Sequence, residues 1–207
     1  MRLVAGTLRN DLGSYTQLDG ETRLAGGRLS SSSSLYFQGG TLTGSGVIDA
    51  SVINNAAVRP DYLHGPLIIE GDYTQSSSGS LTIDLAGTDP ETGFGRLVVR
   101  ESASLFGVFS AALVAGFSPA DNQSFEILSY QSHVGAFGTM NLPALPTGLT
   151  FRTRETGIEL KLVVVGTTNS FTTFGRSINN SLSVSSAFRA VLIEFKPLLT
   201  CASGRRS

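Results

Sequence analysis

The chain has 207 residues, 15 of them basic and 16 acidic, for a formal net charge of −1. That balance leaves no field to steer nucleic acid or an anionic membrane surface, so neither is an expected partner. Charged residues make up only 15%, well below the roughly 25% of ordinary globular domains, so solubility rests on Ser, Thr, Asn and Gln. Gly is abundant at 24 residues, Trp is absent, and Cys201 is the single cysteine. The profile excludes an internal disulfide and suits short strands joined by tight turns.

In chain order, the first signal is a short unit that returns. Leu3-Val4-Ala5-Gly6-Thr7-Leu8 is echoed by Leu24-Ala25-Gly26-Gly27-Arg28-Leu29 and again by Phe37-Gln38-Gly39-Gly40-Thr41-Leu42. A second unit, Gly13-Ser14-Tyr15-Thr16-Gln17, reappears as Gly71-Asp72-Tyr73-Thr74-Gln75. Units this short cannot bury their own apolar face and must stack on neighbouring copies. Tyr15 and Tyr73 hold equivalent places and are expected in the core or in a ladder. The serine run Ser30 to Ser34 and the pair Asn54-Asn55 are expected at turns. Leu35-Tyr36-Phe37-Gln38-Gly39 matches the core of a common engineered protease site. The repeat runs straight through it, and Ser33 stands where that site has an acidic residue, so it is read as native.

Period-2 alternation predicts strands at Leu81–Leu85, Leu97–Val99, Phe125–Leu128, Leu149–Thr153 and Ile158–Leu162, the last two joined by a hairpin across Glu155-Thr156-Gly157. The apolar run Ala111–Phe117 also reads as a strand, because glycines bound it. Leu42 and Ile83 should point inward. After Gly166 the character changes: the segment is polar, Ala187–Phe195 has the composition of a short helix stopped before Pro197, and the basic end reads as an unstructured tail. The chain thus divides at 1–165 and 166–207. No stretch reaches the roughly 18 apolar residues of a membrane span, so this chain is not expected to insert in a membrane. Met1-Arg2 leads directly into the repeat without a secretory leader, which suggests a piece of a longer protein with an open N-terminal edge, prone to self-association.

The run Gly39-Gly40-Thr41-Leu42-Thr43-Gly44-Ser45-Gly46-Val47-Ile48 resembles the repeats of bacterial autotransporter-type passenger proteins, the autotransporter-associated β-strand repeats. The segments Gly65–Gln75, Gly79–Gly87, Gly107–Phe117, Phe125–Leu128, Gly135–Phe137 and Asn141–Leu149 are similar to that family's terminal section. The resemblance covers roughly residues 1 to 165. It implies an all-β fold, a right-handed parallel β-helix, or solenoid, with antiparallel strands capping its C-terminal part around 96–165. It also implies an extracellular or cell-surface location, adhesin-like in some members, with host or cell-surface glycans or proteins as partners. Two features depart from the pattern: no leader precedes the repeats, and the last 40 or so residues lack the long alternating strands of a membrane barrel. Export is therefore implied for a parent protein.

Candidates for chemistry are few. Carboxylates cluster as Asp84, Asp89 and Glu91 around the loop from Gly87 to Gly93, as Asp61 beside His64, and as Glu70 beside Asp72. None recurs in register, and each reads as a solvated turn carboxylate, with a calcium site at Asp89 and Glu91 as the leading alternative. His64 and His133 lack a partner at metal-ligand spacing. No nucleophile elbow, phosphate loop or dinucleotide fingerprint is present. No catalytic, cofactor-binding or metal residue is assigned, and no cofactor is implied. The expected function is a structural stalk or passenger segment without catalysis. Its rivals are a polysaccharide-active β-helix enzyme, which needs several ionisable groups converging on one groove, and a glycan-binding module, for which only Tyr36, Tyr62 and Tyr73 are offered.

Overall fold

A computed structural model describes residues 1–10, 13–114 and 116–167, all within one unit of the chain, Met1–Asn169. The expected helix at 187–195, the tail and Cys201 lie outside the described residues.

Alternating burial runs through nearly every strand. In chain order these are β1 (Arg2–Val4), β2 (Thr7–Asn10), β3 (Tyr15–Gln17), β4 (Glu21–Ser31), β5 (Leu35–Phe37), β6 (Thr41–Asp49) and β7 (Val52–Asn54). They continue as β8 (Ala57–Pro60), β9 (Leu67–Ile69), β10 (Tyr73–Gln75), β11 (Ser80–Leu85), β12 (Leu97–Val99) and β13 (Ser102–Leu105). The last are β14 (Val108–Leu113), β15 (Ser124–Ser129), β16 (Ser132–Gly135), β17 (Thr139–Asn141), β18 (Leu149–Thr156) and β19 (Glu159–Gly166). Among the described residues there is no helix, and so none long and apolar enough to cross a membrane.

The strands sort into two sheets. A six-stranded parallel sheet runs β16-β13-β10-β7-β5-β3. Its inward columns are Tyr15–Leu35–Val52–Tyr73–Ala103 and Gln17–Phe37–Asn54–Gln75. The second sheet has thirteen strands and follows β17-β14-β11-β8-β6-β9-β12-β15-β19-β18, with β4 joining β1 and β2 to β6. Between the sheets lies one apolar cluster reaching from Leu24 to Val164. Leu42 and Ile83 are fully buried in it, as expected. Leu35 and Phe37 are also fully buried, so the protease-site look-alike is an interior strand.

The expected right-handed parallel β-helix is overturned. The thirteen-stranded sheet is mixed and curls into a half-barrel, beside a separate parallel sheet. The descriptions as a solenoid, a β-helix and a repeat protein fall with it. Two local causes are visible. First, β4 and β6 are long, at 11 and 9 residues, and each bridges several neighbours: β4 pairs with β1, β2 and β6, and β6 with β4, β8 and β9. Gly44, inside β6, sits at φ 102° with its Cα against the Leu24 carbonyl, where an added Cβ would lie 1.8 Å from that oxygen. Only glycine permits this bend without ending the strand, so the sheet curls where a turn would have separated two faces. Second, β18 and β19 form an antiparallel hairpin, and β19 adds antiparallel to β15. Among the described residues the antiparallel strand pairs lie here, with one isolated antiparallel bridge between Leu85 and Phe94; β12, β13, β14, β16 and β17 are joined in parallel, so the expected antiparallel cap across 96–165 shrinks to a hairpin and its docking strand.

Candidate functional site

The outward face of the large sheet carries a cluster of charged and polar groups. Arg23 on β4, Thr43 on β6 and Arg59 on β8 are direct parallel neighbours. At the ordinary strand spacing the two arginine Cα atoms stand about 10 Å apart. Alternation explains this: Thr22, Leu24 and Leu42 are buried, so the alternate residues Arg23 and Thr43 face out. After Pro60 the chain leaves the sheet and turns back over this face. The Asp61 amide donates to the Gly44 carbonyl at 2.9 Å, and the Leu63 amide donates to Asp61 Oδ1 at 3.0 Å. The segment 60–64 thereby forms one wall of a cleft of about 540 Å³, whose opposite side includes Glu21, Arg23, Thr43, Arg59 and Asp84.

The charges in this cleft are largely paired. Arg59 holds Asp84 in a bidentate bridge, Nε to Oδ2 at 2.8 Å and Nη2 to Oδ1 at 2.9 Å. That pairing is what permits Asp84 to be 6% exposed at the end of β11. The hydrogen bond to Asp84 raises the Arg59 pKa against the opposing effect of burial. Asp61 Oδ2 lies 2.9 Å from His64 Nδ1 and 3.7 Å from Arg23 Nη2. Burial pushes the Asp61 carboxyl up, but the Leu63 amide and His64, with Arg23, outweigh it and hold it below its ordinary value. Two groups are left over. The Glu21 carboxylate has no ion pair or hydrogen bond among the described residues, and Arg23 Nε is buried without an acceptor there.

The structure therefore brings Asp61, His64 and Asp84 together and separates the remaining candidates. Asp89 Oδ1 accepts the Glu91 amide at 2.8 Å, and Glu91 pairs with Arg96 at 3.2 Å. That loop abuts the 60–64 wall through the Gly65 amide, which donates to the Glu91 carbonyl. Glu70 lines a separate serine-rich depression of about 380 Å³ with Ser31–Ser34 and Asp49, while Asp72 accepts the Ser102 amide at 3.1 Å. His133 pairs with Glu155 at 2.8 Å and packs on the Tyr130 ring, centroids 4.7 Å apart. Burial first, then the Glu155 charge, pushes the Tyr130 phenol up to about 12. Among the described residues no group of three His, Cys, Asp or Glu side chains is placed to hold a metal ion.

Three polar residues inside the core escaped the sequence reading. Gln17, Asn54 and Gln75 are buried and share one column. Gln17 Nε2 donates to the carbonyls of Gly20 and Gly39, and Gln75 Nε2 to those of Gly79, Phe106 and Val108. Asn54, expected at a turn, is a fully buried strand residue bonded to the Tyr73 hydroxyl at 3.0 Å. Tyr73 itself is fully buried, as its repeat position predicts, and desolvation raises its pKa. Arg23 and Arg59 were also missed, although alternation around Leu24 and Val58 marks both as outward.

No family model matches the sequence, and no curated protein matches it.

Proposed function

We propose that this chain is a structural, non-catalytic β scaffold: a stalk or passenger segment of a secreted or cell-surface protein. The observation that carries the reading is the buried amide column. Gln17, Asn54 and Gln75 tie turn and strand carbonyls of successive segments into the core, an arrangement that stiffens a backbone and offers nothing to a substrate. Two carboxylates of the polar cleft are already engaged, the buried Asp84 by Nε and Nη2 of Arg59 and the half-buried Asp61 by His64. The secreted or surface setting is supported by the likeness of Gly39–Ile48 to autotransporter passenger repeats.

Limited trypsin digestion tests the reading. The bonds after Arg23, Arg28 and Arg96 should persist long after denatured chain is digested, and no turnover should be seen on pectin or alginate. Rapid native cleavage at those bonds would overturn the scaffold. Turnover abolished by Asp84→Asn or Asp61→Asn would replace it with an enzyme.

A further inference from the structure

We propose that the cleft between the 60–64 wall and the outward face of β4, β6 and β8 is a binding subsite for a short neutral glycan. The inference goes beyond the scaffold reading and stands apart from it.

The volume comes first. About 540 Å³ falls within the roughly 300–1,000 Å³ of small-ligand sites. Charge comes second. Arg23 and Arg59 face Glu21, Asp61 and Asp84, so the cleft has no cationic excess for a uronate or sulfate chain and little anionic excess for a polycation. The third argument is the pattern of free valences. A guanidinium only donates and a carboxylate only accepts. A hydroxyl does both, so it can donate to a carboxylate and accept from the adjacent guanidinium without displacing either from its ion pair. Vicinal hydroxyls of a sugar present this function repeatedly. Glu21 supplies an acceptor uncommitted among the described residues, and the exposed part of the Arg23 guanidinium, whose side chain is 43% exposed, supplies donors.

The wall supplies the apolar component. Leu63 is 50% exposed, and Pro60 and Tyr62 line the same cleft. Together they offer a surface for the C–H face of a pyranose ring. The Arg59–Asp84 bridge holds the polar groups opposite in place and the Asp61–His64 contact holds the wall, so little ordering cost remains for binding.

Saturation-transfer NMR and calorimetry on the full chain test the proposal, with cellotetraose, maltotetraose, laminaritetraose and mannotetraose as probes and tetragalacturonate as the charged control. At least one neutral tetrasaccharide should bind in preference to tetragalacturonate. Glu21→Gln and Tyr62→Ala, both on exposed or half-exposed positions, should each weaken that binding about tenfold while leaving the thermal transition in place. Arg59→Ala is the less informative variant, because it also strands Asp84. The proposal is overturned if none of the four neutral probes binds, if tetragalacturonate binds more tightly, or if both variants bind as the parent does. Those outcomes leave the protease resistance and absence of turnover untouched.

Discussion

Gln75 shows how much of this core depends on single polar side chains. It is fully buried, its Oε1 accepts from the Tyr73 hydroxyl at 2.8 Å, and its Nε2 reaches the Phe106 carbonyl at 2.7 Å and the Val108 carbonyl at 3.1 Å. Replacing it with Leu keeps the volume and strands those carbonyls in an apolar setting. Gln75→Leu should therefore cost on the order of 3 kcal/mol, whereas Tyr73→Phe, which removes one hydroxyl, should cost about 1 kcal/mol. Urea denaturation of the two variants measures both, and a Gln75→Leu protein as stable as the parent would show the amide column to be ornamental. The repeat of Tyr-Thr-Gln was visible in the sequence, and it placed Tyr73 correctly. The role of Gln75 was not visible, because its polarity argues for solvent although alternation puts it on the face of Tyr73. Its buried amide is tolerated because the Gly79, Phe106 and Val108 carbonyls lie within its reach, and no local pattern encodes where those carbonyls will be.

At the scale of elements, strands with clean alternation were the legible part. Leu81–Leu85, Phe125–Leu128 and the hairpin of β18 and β19 stand where period 2 put them. The Ala111–Phe117 run is strand only as far as Leu113. The wall at 60–64 was not legible: Asp61 and His64 were seen as a pair, but the sequence carries no sign that Pro60 releases the chain to fold back over Arg23 and Arg59. That wall is held largely by Asp61, which suggests a pH dependence. The folded carboxyl sits below its unfolded value. Its contribution is thus fully present above the ordinary carboxylate range, roughly pH 4, and is lost as pH falls through the depressed folded value. Acidification below about pH 4 should loosen the segment locally, seen as faster amide exchange at Asp61 and Leu63 than in neighbouring strands. Asp61→Asn should show that looser segment at neutral pH and lose this part of the acid dependence. Unchanged exchange at both residues in the variant would mean that the wall is held by its backbone bond to Gly44 alone.

For the whole described unit, the question is whether it unfolds piecemeal or at once. The glycine-rich echoes made stacked, self-similar layers the natural expectation, and such arrays unravel from their ends because each layer touches only its neighbours. What local patterns could not convey is that bent strands such as β6 carry the sheet past a corner, and that the last hairpin docks on β15. The curled mixed sheet and the parallel sheet instead share one core cluster, in which Leu42 near the start and Leu162 near the end are both fully buried. Small domains built on a single core usually unfold in one cooperative step. Leu42→Ala and Leu162→Ala should each cost about 2–5 kcal/mol, and each should lower the transition of the entire unit. Strands β1 and β2 contribute no buried residue to this core, touching it through the half-buried Leu3, and should exchange early. Far-ultraviolet dichroism gives the global curve, and amide exchange in β6 and β19 gives the two ends. If the substitution in β6 destabilised β6 and left the protection of β19 at its parent value, the two regions would be independent, and the shared core would not act as one.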